Sequence, residues 1–378
     1  MAKHSGQLSP QAIAGLLVRP LLRNASSPAR VLEGSLSTYS SYGRGAGSSR
    51  VRIFDWLDHL NLQAESFTYL NQSSNSARAL ASTPLAVVQT ELSLRRRVGC
   101  AETVLLSRQA SPFSNGAVES RLLERAARGV YDFDDALMHE PKGRLTAIWS
   151  KSRTWHRAVA AADVVIAGNE YLATQASSLN SNVVTIPSCV EPGNYRIKAD
   201  YTISSSPTAV WLGSPSTEKY LLSIAQPLLT MHQSSGLRLR LVSAGNASFG
   251  ELDRMIDRAE WNPLTFGEDL ASADFGLMPL EDTPWSAGKC AYKLLQYGAA
   301  GLPMVGSPVG ANKRVLRLSD GFETSTLSEW ADAMDSLISE PINRRAERGR
   351  AGRTAVEAEY SFSRWATTWQ GALGLNSS

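Results

Sequence analysis

The sequence predicts an α/β protein built from two Rossmann-like units, and three observations lead there. The chain has 378 residues, room for about two domains at roughly 100–200 residues each. Short β-rich apolar runs alternate with longer helix-patterned stretches, the pattern of parallel strands covered on both faces by crossover helices. The alternation breaks over the Pro- and Ser-rich residues 187–207 and then resumes. Hydrophobic residues make up 43% and charged residues 19%, which excludes a disordered chain. Lys plus Arg is 38 against 35 for Asp plus Glu, a net charge of +3, too balanced for a dedicated nucleic-acid binder. Cys100, Cys189 and Cys290 lie far apart, against a structural zinc site or a disulfide framework and in favour of a reducing compartment. No apolar run approaches the roughly 18 residues of a spanning helix, so the expectation is a cytoplasmic protein.

Residues 1–29 are a basic segment in which Leu16, Leu17, Val18, Leu21 and Leu22 are apolar. Two readings stay open: a peripheral contact with an anionic membrane, or a tail or packed helix, since Pro20 interrupts any helix. The first unit, residues 30–187, begins with a strand at Val31–Glu33, a Ser/Gly-rich loop and a helix over 51–62. Strands are expected at Phe67–Leu70, Leu85–Val88, Thr103–Leu106, Val130–Phe133, Ala162–Ala167 and Val183–Ile186, with helices at Ala117–Ala127 and Glu170–Leu179. Residues 188–207 read as the linker. In the second unit, 208–360, strands are expected at Val210–Leu212, Leu239–Ser243, Leu264–Phe266, Phe275–Met278 and Met304–Val305, with helices at Ala291–Ala300 and Arg344–Glu359. A final helical segment, 361–378, carries Trp365 and Trp369.

Open α/β sheets bind ligands outside the carboxyl ends of their strands, so the loops there carry the chemistry. In SYGRGAGSSR, Gly43, Gly45 and Gly47 allow close backbone approach, and Arg44 and Arg50 suit a phosphate. The loop is neither a Walker A motif nor the dinucleotide fingerprint, and a plain flexible loop remains the alternative. In YDFDDA, Asp132, Asp134 and Asp135 cluster at a strand end, with His139 and Glu140 close behind. They suit the hydroxyls or amines of a polar acceptor; helix capping is the alternative, and a metal site lacks evident further ligands. In GSPSTEKY, a small-residue turn after a strand places Gly213, Ser214 and Lys219 where a helix start favours an anion. In DTPWSAGKCAYKLLQYGAAGLPMVG, Lys289 sits near a helix start, where a cation opposes the dipole and so points to a bound anion. Lys293 and Gln296 lie within one turn of each other.

With VYDFDDAL, ADVVIAGNEYLA, VWLGSPSTEKYL and GKCAYKLLQYGAAGLPMVGSPVGAN, the sequence resembles retaining glycosyltransferases of family 4, which have the GT-B architecture of two Rossmann-like domains facing each other across a cleft. The resemblance runs from about residue 30 to the C-terminus. It implies a nucleotide-diphosphate sugar donor held mainly by the second unit, at Gly213, Ser214, Lys219, Gly267, Gly288, Lys289, Lys293 and Gln296. It implies an acceptor held mainly by the first, at Gly43, Arg44, Gly45, Arg50, Asp132, Asp134 and His139. Asp134, Asp135 and Lys289 are the catalytic candidates, Asp134 or Asp135 orienting the acceptor. Neither a cofactor nor a metal is expected beyond the co-substrate.

Two departures stand out. The family's pair of glutamates eight positions apart aligns with Gly288 and Gln296; Gln296 retains the means to hydrogen-bond a ribose, whereas Gly288 supplies no carboxylate. The Arg and Lys that many relatives place after the first strand of the second domain reduce to Lys219. The linker would act as a hinge, and the final helix would cross back to the first domain. The acceptor is a polar small molecule, such as an aminocyclitol, or a lipid-linked or envelope saccharide. Competing readings are a nucleotide-sugar isomerase or hydrolase of the same shape and a catalytically silent nucleotide-sugar-binding protein.

Overall fold

The computed structural model describes residues 36–375 apart from 73–74, 76, 100, 141–147 and 263–264. The basic segment 1–29, the expected strand Val31–Glu33 and Cys100 therefore lie outside the described residues. The first unit holds β1 (Leu36–Ser40), β2 (Glu65–Thr68), β3 (Thr103–Ser107), β4 (Arg128–Phe133), β5 (Val164–Ala167) and β6 (Val183–Thr185). They form one parallel sheet in the order β2-β1-β3-β4-β5-β6. The second holds β7 (Thr208–Leu212), β8 (Arg238–Val242), β9 (Ile256–Ala259), β10 (Phe275–Met278), β11 (Met304–Gly306) and β12 (Phe322–Glu323). Their order, β12-β11-β10-β7-β8-β9, is that of a full Rossmann sheet. Strand order reverses between β1 and β3 and between β7 and β10. Crevices open at the carboxyl ends of the strands at such points.

Alternate strand residues serve opposite faces. In the first sheet Tyr39, Val104, Leu106, Tyr131 and Val165 fill one core, and Leu36, Leu105, Val130, Val164 and Ile166 the other. In the second, Val210, Leu212 and Val242 face one side and Trp211, Leu239, Leu241 and Leu277 the other. The last helix, Phe362–Ala372, packs on the first unit. Trp369 stacks on Trp56 with centroids 5.1 Å apart, and Phe362 meets the same ring edge-on at 4.8 Å. Arg128 Nε donates to the Ala372 carbonyl at 2.8 Å. The chain crosses between units near 187–207 and again at 360–362, where the Val190 amide donates to the Tyr360 carbonyl.

Several expected elements are corrected. The first described strand, LSTYS, lies in the stretch read as a loop; its small hydroxyl side chains are buried and bonded, Thr38 to Ser66 at 2.9 Å and Ser40 to Ser49 at 2.5 Å. Leu85–Val88 is not a strand but part of the Pro84–Arg96 helix. Of the expected strand Leu264–Phe266, Leu264 lies outside the described residues and Phe266 opens a helix, Phe266–Ser272; the strand is β9. The helix expected over 51–62 starts earlier, at Gly47–Ser49, passes through a π-helical stretch at Arg50–Phe54 and ends as Asp55–His59. Among the described residues, no helix is long and apolar enough to cross a membrane.

Candidate active site

The carboxyl edge of the first sheet is organised around two arginines. The π-helical stretch aims Arg52 into the protein, where Nε and Nη2 meet the Asp132 carboxylate at 2.9 and 2.6 Å and Nη1 donates to the Ile186 carbonyl at 3.0 Å. Burial opposes both charges, and the carboxylate beside it keeps the Arg52 guanidinium protonated, above its ordinary range. Asp132, fully buried, thus ties β4 to the helix behind it and lies beneath the site rather than on its surface. Losing one partner of such a pair costs about 3–5 kcal/mol.

The second arginine, Arg108, follows β3 directly and has φ of +62°, a left-handed conformation that costs a non-glycine residue about 1–2 kcal/mol. It is held there from both sides: its amide donates to the Asp132 carbonyl at 2.9 Å, and the Tyr131 hydroxyl donates to its carbonyl at 2.9 Å. The guanidinium then reaches Asp134 with Nε at 2.7 Å and Asp135 with Nη2. Asp134 and Asp135 cap no helix; they stand half-buried on Arg108. The loop beyond Arg108 is pinned by the buried Glu119, which accepts from the Ala110 amide at 3.0 Å and from the Ser114 hydroxyl.

Residues 283–291 of the second unit close over this edge. Lys289 Nζ donates to Asp135 Oδ1 at 2.6 Å and lies 5.0 Å from the Trp285 ring centre. Burial, with help from Arg108, lowers its pKa below the ordinary lysine range. Asn169 caps the Glu170–Ser177 helix by accepting from the Leu172 amide, while its Nδ2 donates to the carbonyls of Ala287 and Lys289 at 3.2 and 3.1 Å. The Cys290 thiol donates to the Asp134 carbonyl at 3.4 Å, and burial pushes its pKa up to about 12. Two glycines permit the approach: a Cβ on Gly168 would lie 2.5 Å from Cys290 Sγ, and one on Gly288 would lie 2.6 Å from Ala136 Cβ and 2.7 Å from Ala136 N. At Gly288 a larger side chain has no room while the two units touch.

On the donor side, Lys293 lies across the end of β7, its Nζ 5.0 Å from the Trp211 ring centre, and a Cβ on Gly213 would sit 2.8 Å from Lys293 Cε. Burial, then the charge of Lys289, pushes the Lys293 ammonium down to about 8. Lys289, Lys293 and Gly213 are therefore brought together. Gln296 is buried beneath them, with its side chain on the Tyr195 hydroxyl. The segment after Ser214 is a 3-10 helix, Pro215–Ile224, which leaves Ser214 and Lys219 exposed. Gly267 lies in the first turn of the Phe266–Ser272 helix, against the linker at Arg196.

The remaining acceptor candidates spread along the first unit. Gly43 donates to the Gln72 carbonyl at 2.7 Å and has no space for a Cβ against Asn71. Arg44 is engaged by Asp58 at 2.5 Å and by the Phe54 ring, and Gly45 is exposed beside it. Arg50 crosses to the second unit, 5.2 Å from the Trp261 ring centre and within electrostatic reach of Tyr292. His139 is exposed, its Nε2 2.7 Å from the Tyr171 hydroxyl. Arg108 and Asn169, which join the candidates into one site, are the residues that sequence reasoning missed. Among the described residues no group of three or more His, Cys, Asp or Glu side chains is placed to hold a metal ion.

No protein-family model matches the sequence, and a search of curated proteins finds no match. Solved structures are similar in shape. Sucrose-phosphate synthase from Thermosynechococcus elongatus aligns with a TM-score of 0.66 and 13% identity, over 89% of this chain and 97% of that one. Anabaena HepE, solved with UDP and glucose, aligns at 0.64 and 14%, over 90% and 99%. WaaG, a glycosyltransferase involved in lipopolysaccharide biosynthesis, aligns at 0.61 and 13%, over 90% and 100%. At these identities the likeness bears on shape alone. The fold of this chain is thus the two-domain α/β GT-B architecture, with the Arg108–Asp134–Asp135–Lys289 cluster where the two sheet edges meet.

Proposed function

We propose that this chain is a retaining glycosyltransferase that moves a sugar from a nucleotide-diphosphate donor to an acceptor hydroxyl. The observation that carries the reading is the direct meeting of Lys289, from the edge of the second sheet, with Asp135, from the edge of the first. Cations on one side and carboxylates on the other stand where a donor and an acceptor would react. The UDP and glucose bound by the similarly folded HepE support a nucleotide-sugar donor.

Chemistry assigns the roles. As the sugar–phosphate bond breaks, negative charge grows on the leaving diphosphate, and preorganised cations stabilise it. Lys289 and Lys293 supply that charge beside Gly213. Asp134 and Asp135, positioned by Arg108, orient the acceptor hydroxyl on the same face of the sugar, which gives retention. Asp132 acts through the scaffold. The acceptor is polar, a small molecule or a saccharide.

A thermal-shift screen with UDP, GDP, dTDP and ADP, with and without magnesium, tests the donor reading. A nucleotide at 100 times its dissociation constant adds about 2.7 kcal/mol of stability, so one nucleotide should raise the midpoint clearly. Proton NMR of the product formed from the matching α-linked sugar nucleotide should then show an α-anomer. No shift with any nucleotide, at concentrations up to millimolar, would overturn the donor assignment; a β-anomer would overturn retention alone.

A further inference from the structure

Among the described residues, nothing covers one apolar face of the Pro84–Arg96 helix. Leu85, Val88 and Leu92 are 79%, 57% and 49% exposed. They recur at i, i+3 and i+7, so they form one stripe along the helix. The stripe runs on into Arg95 and Arg96, which are also exposed. The opposite face is anchored by the fully buried Leu94. The helix has one acidic residue, Glu91, and it is turned inward to accept from the Ser111 hydroxyl. The outward face of the helix therefore combines apolar side chains with positive charge, and the helix's own carboxylate is turned away from it.

We propose that this face docks on an anionic lipid surface, with Leu85, Val88 and Leu92 entering the headgroup–acyl boundary and Arg95 and Arg96 meeting lipid phosphates. An apolar stripe next to arginines with long alkyl stems suits that boundary. Charge complementarity disfavours a second copy of the same face. A parallel pairing sets arginine against arginine, and an antiparallel one buries the arginines against Leu85 without a carboxylate. The Glu91–Ser111 contact ties the helix to the loop that starts at Arg108, so docking would bring the acceptor edge of the first unit towards the lipid. The inference does not depend on the reaction proposed above.

Co-sedimentation of the full-length protein with vesicles tests it. Wild type should pellet with phosphatidylglycerol-rich vesicles and stay in solution with pure phosphatidylcholine. Arg95→Ser/Arg96→Ser should lower partitioning about 25-fold, from roughly fivefold per arginine at a charged surface. Leu85→Ser/Val88→Ser/Leu92→Ser should lose at least about tenfold, with thermal midpoints unchanged in both variants. Tryptophan fluorescence of Val88→Trp should be quenched by brominated acyl chains. The proposal is overturned if wild type ignores anionic vesicles, or if the variants bind as well as wild type, which would place the contact elsewhere, such as residues 1–29. It is equally overturned if this face instead drives a concentration-dependent dimer that the leucine variant abolishes.

Discussion

Lys293 carries a charge that the proposed donor site needs and its surroundings oppose. Its ammonium is pushed down to about 8 by burial and by Lys289, against about 10.4 for a free lysine. Between those two values the unfolded chain holds the proton and the folded chain does not. Stability from this group therefore rises as pH rises from about 8 towards 10.4. Binding of a diphosphate runs the other way, because the positive charge is lost through the same window. The donor KM should climb above pH 8 in a pH–rate series, and Lys293→Met should flatten that limb. The same variant should raise KM near pH 7 by about 10–100-fold, on the scale of a charged hydrogen bond of roughly 1.5–3 kcal/mol. A wild-type KM that stays flat from pH 7 to 9.5 would remove Lys293 from the donor site. Legibility at this scale was uneven. Lys289 and the aspartates were visible because charge at a strand end or helix start has few structural uses. Arg108 was not, because nothing in the sequence distinguishes one arginine after an apolar strand, and its role rests on a left-handed backbone held by Asp132 and Tyr131.

At the scale of elements, the loop 283–291 decides how close the two units come. Gly288 has an ordinary helical backbone, with φ of −75°, so a side chain is excluded by Ala136 and not by conformation. Gly288→Glu would place a carboxylate where the first unit already sits. Overpacking of this kind costs about 1–3 kcal/mol. The variant should show a lower thermal midpoint and faster hydrogen exchange across 284–291, with Gly288→Ala intermediate. Equal midpoint and equal protection in the glutamate variant would mean that the contact yields freely. Elements also mark where periodicity misleads. Leu85–Val88 is a short apolar run, and such a run reads alike as strand or helix; its exposure, which no sequence displays, separates the two. The strand LSTYS escaped notice for the opposite reason, since its hydroxyls are satisfied only by partners distant in sequence, such as Ser66.

The whole molecule was the most legible level. Two alternating series and one break anticipated two parallel sheets, because strands buried on both faces are mostly continuously apolar, β1 with its bonded hydroxyls being the exception. The meeting of the units was legible only in part: residues on both sides were named, but the register that sets Lys289 on Asp135 depends on Asn169, Gly168 and Cys290 acting together. Under the proposed reaction, that register implies an order of events. Lys289 has a single ammonium, and in this structure Asp135 holds it. A diphosphate that draws Lys289 away frees Asp135 Oδ1 to receive a hydroxyl while Arg108 keeps Oδ2; an acceptor arriving alone finds both oxygens engaged. Turnover should follow a compulsory sequence, donor before acceptor. Nucleoside diphosphate should inhibit competitively against the donor and noncompetitively against the acceptor, and the acceptor should bind in calorimetry only when nucleotide is present. Random-order kinetics would break the link between the two events. Where the order holds, one lysine is both phosphate ligand and gatekeeper, and the carboxylate that orients the acceptor stays occupied until there is a sugar to transfer.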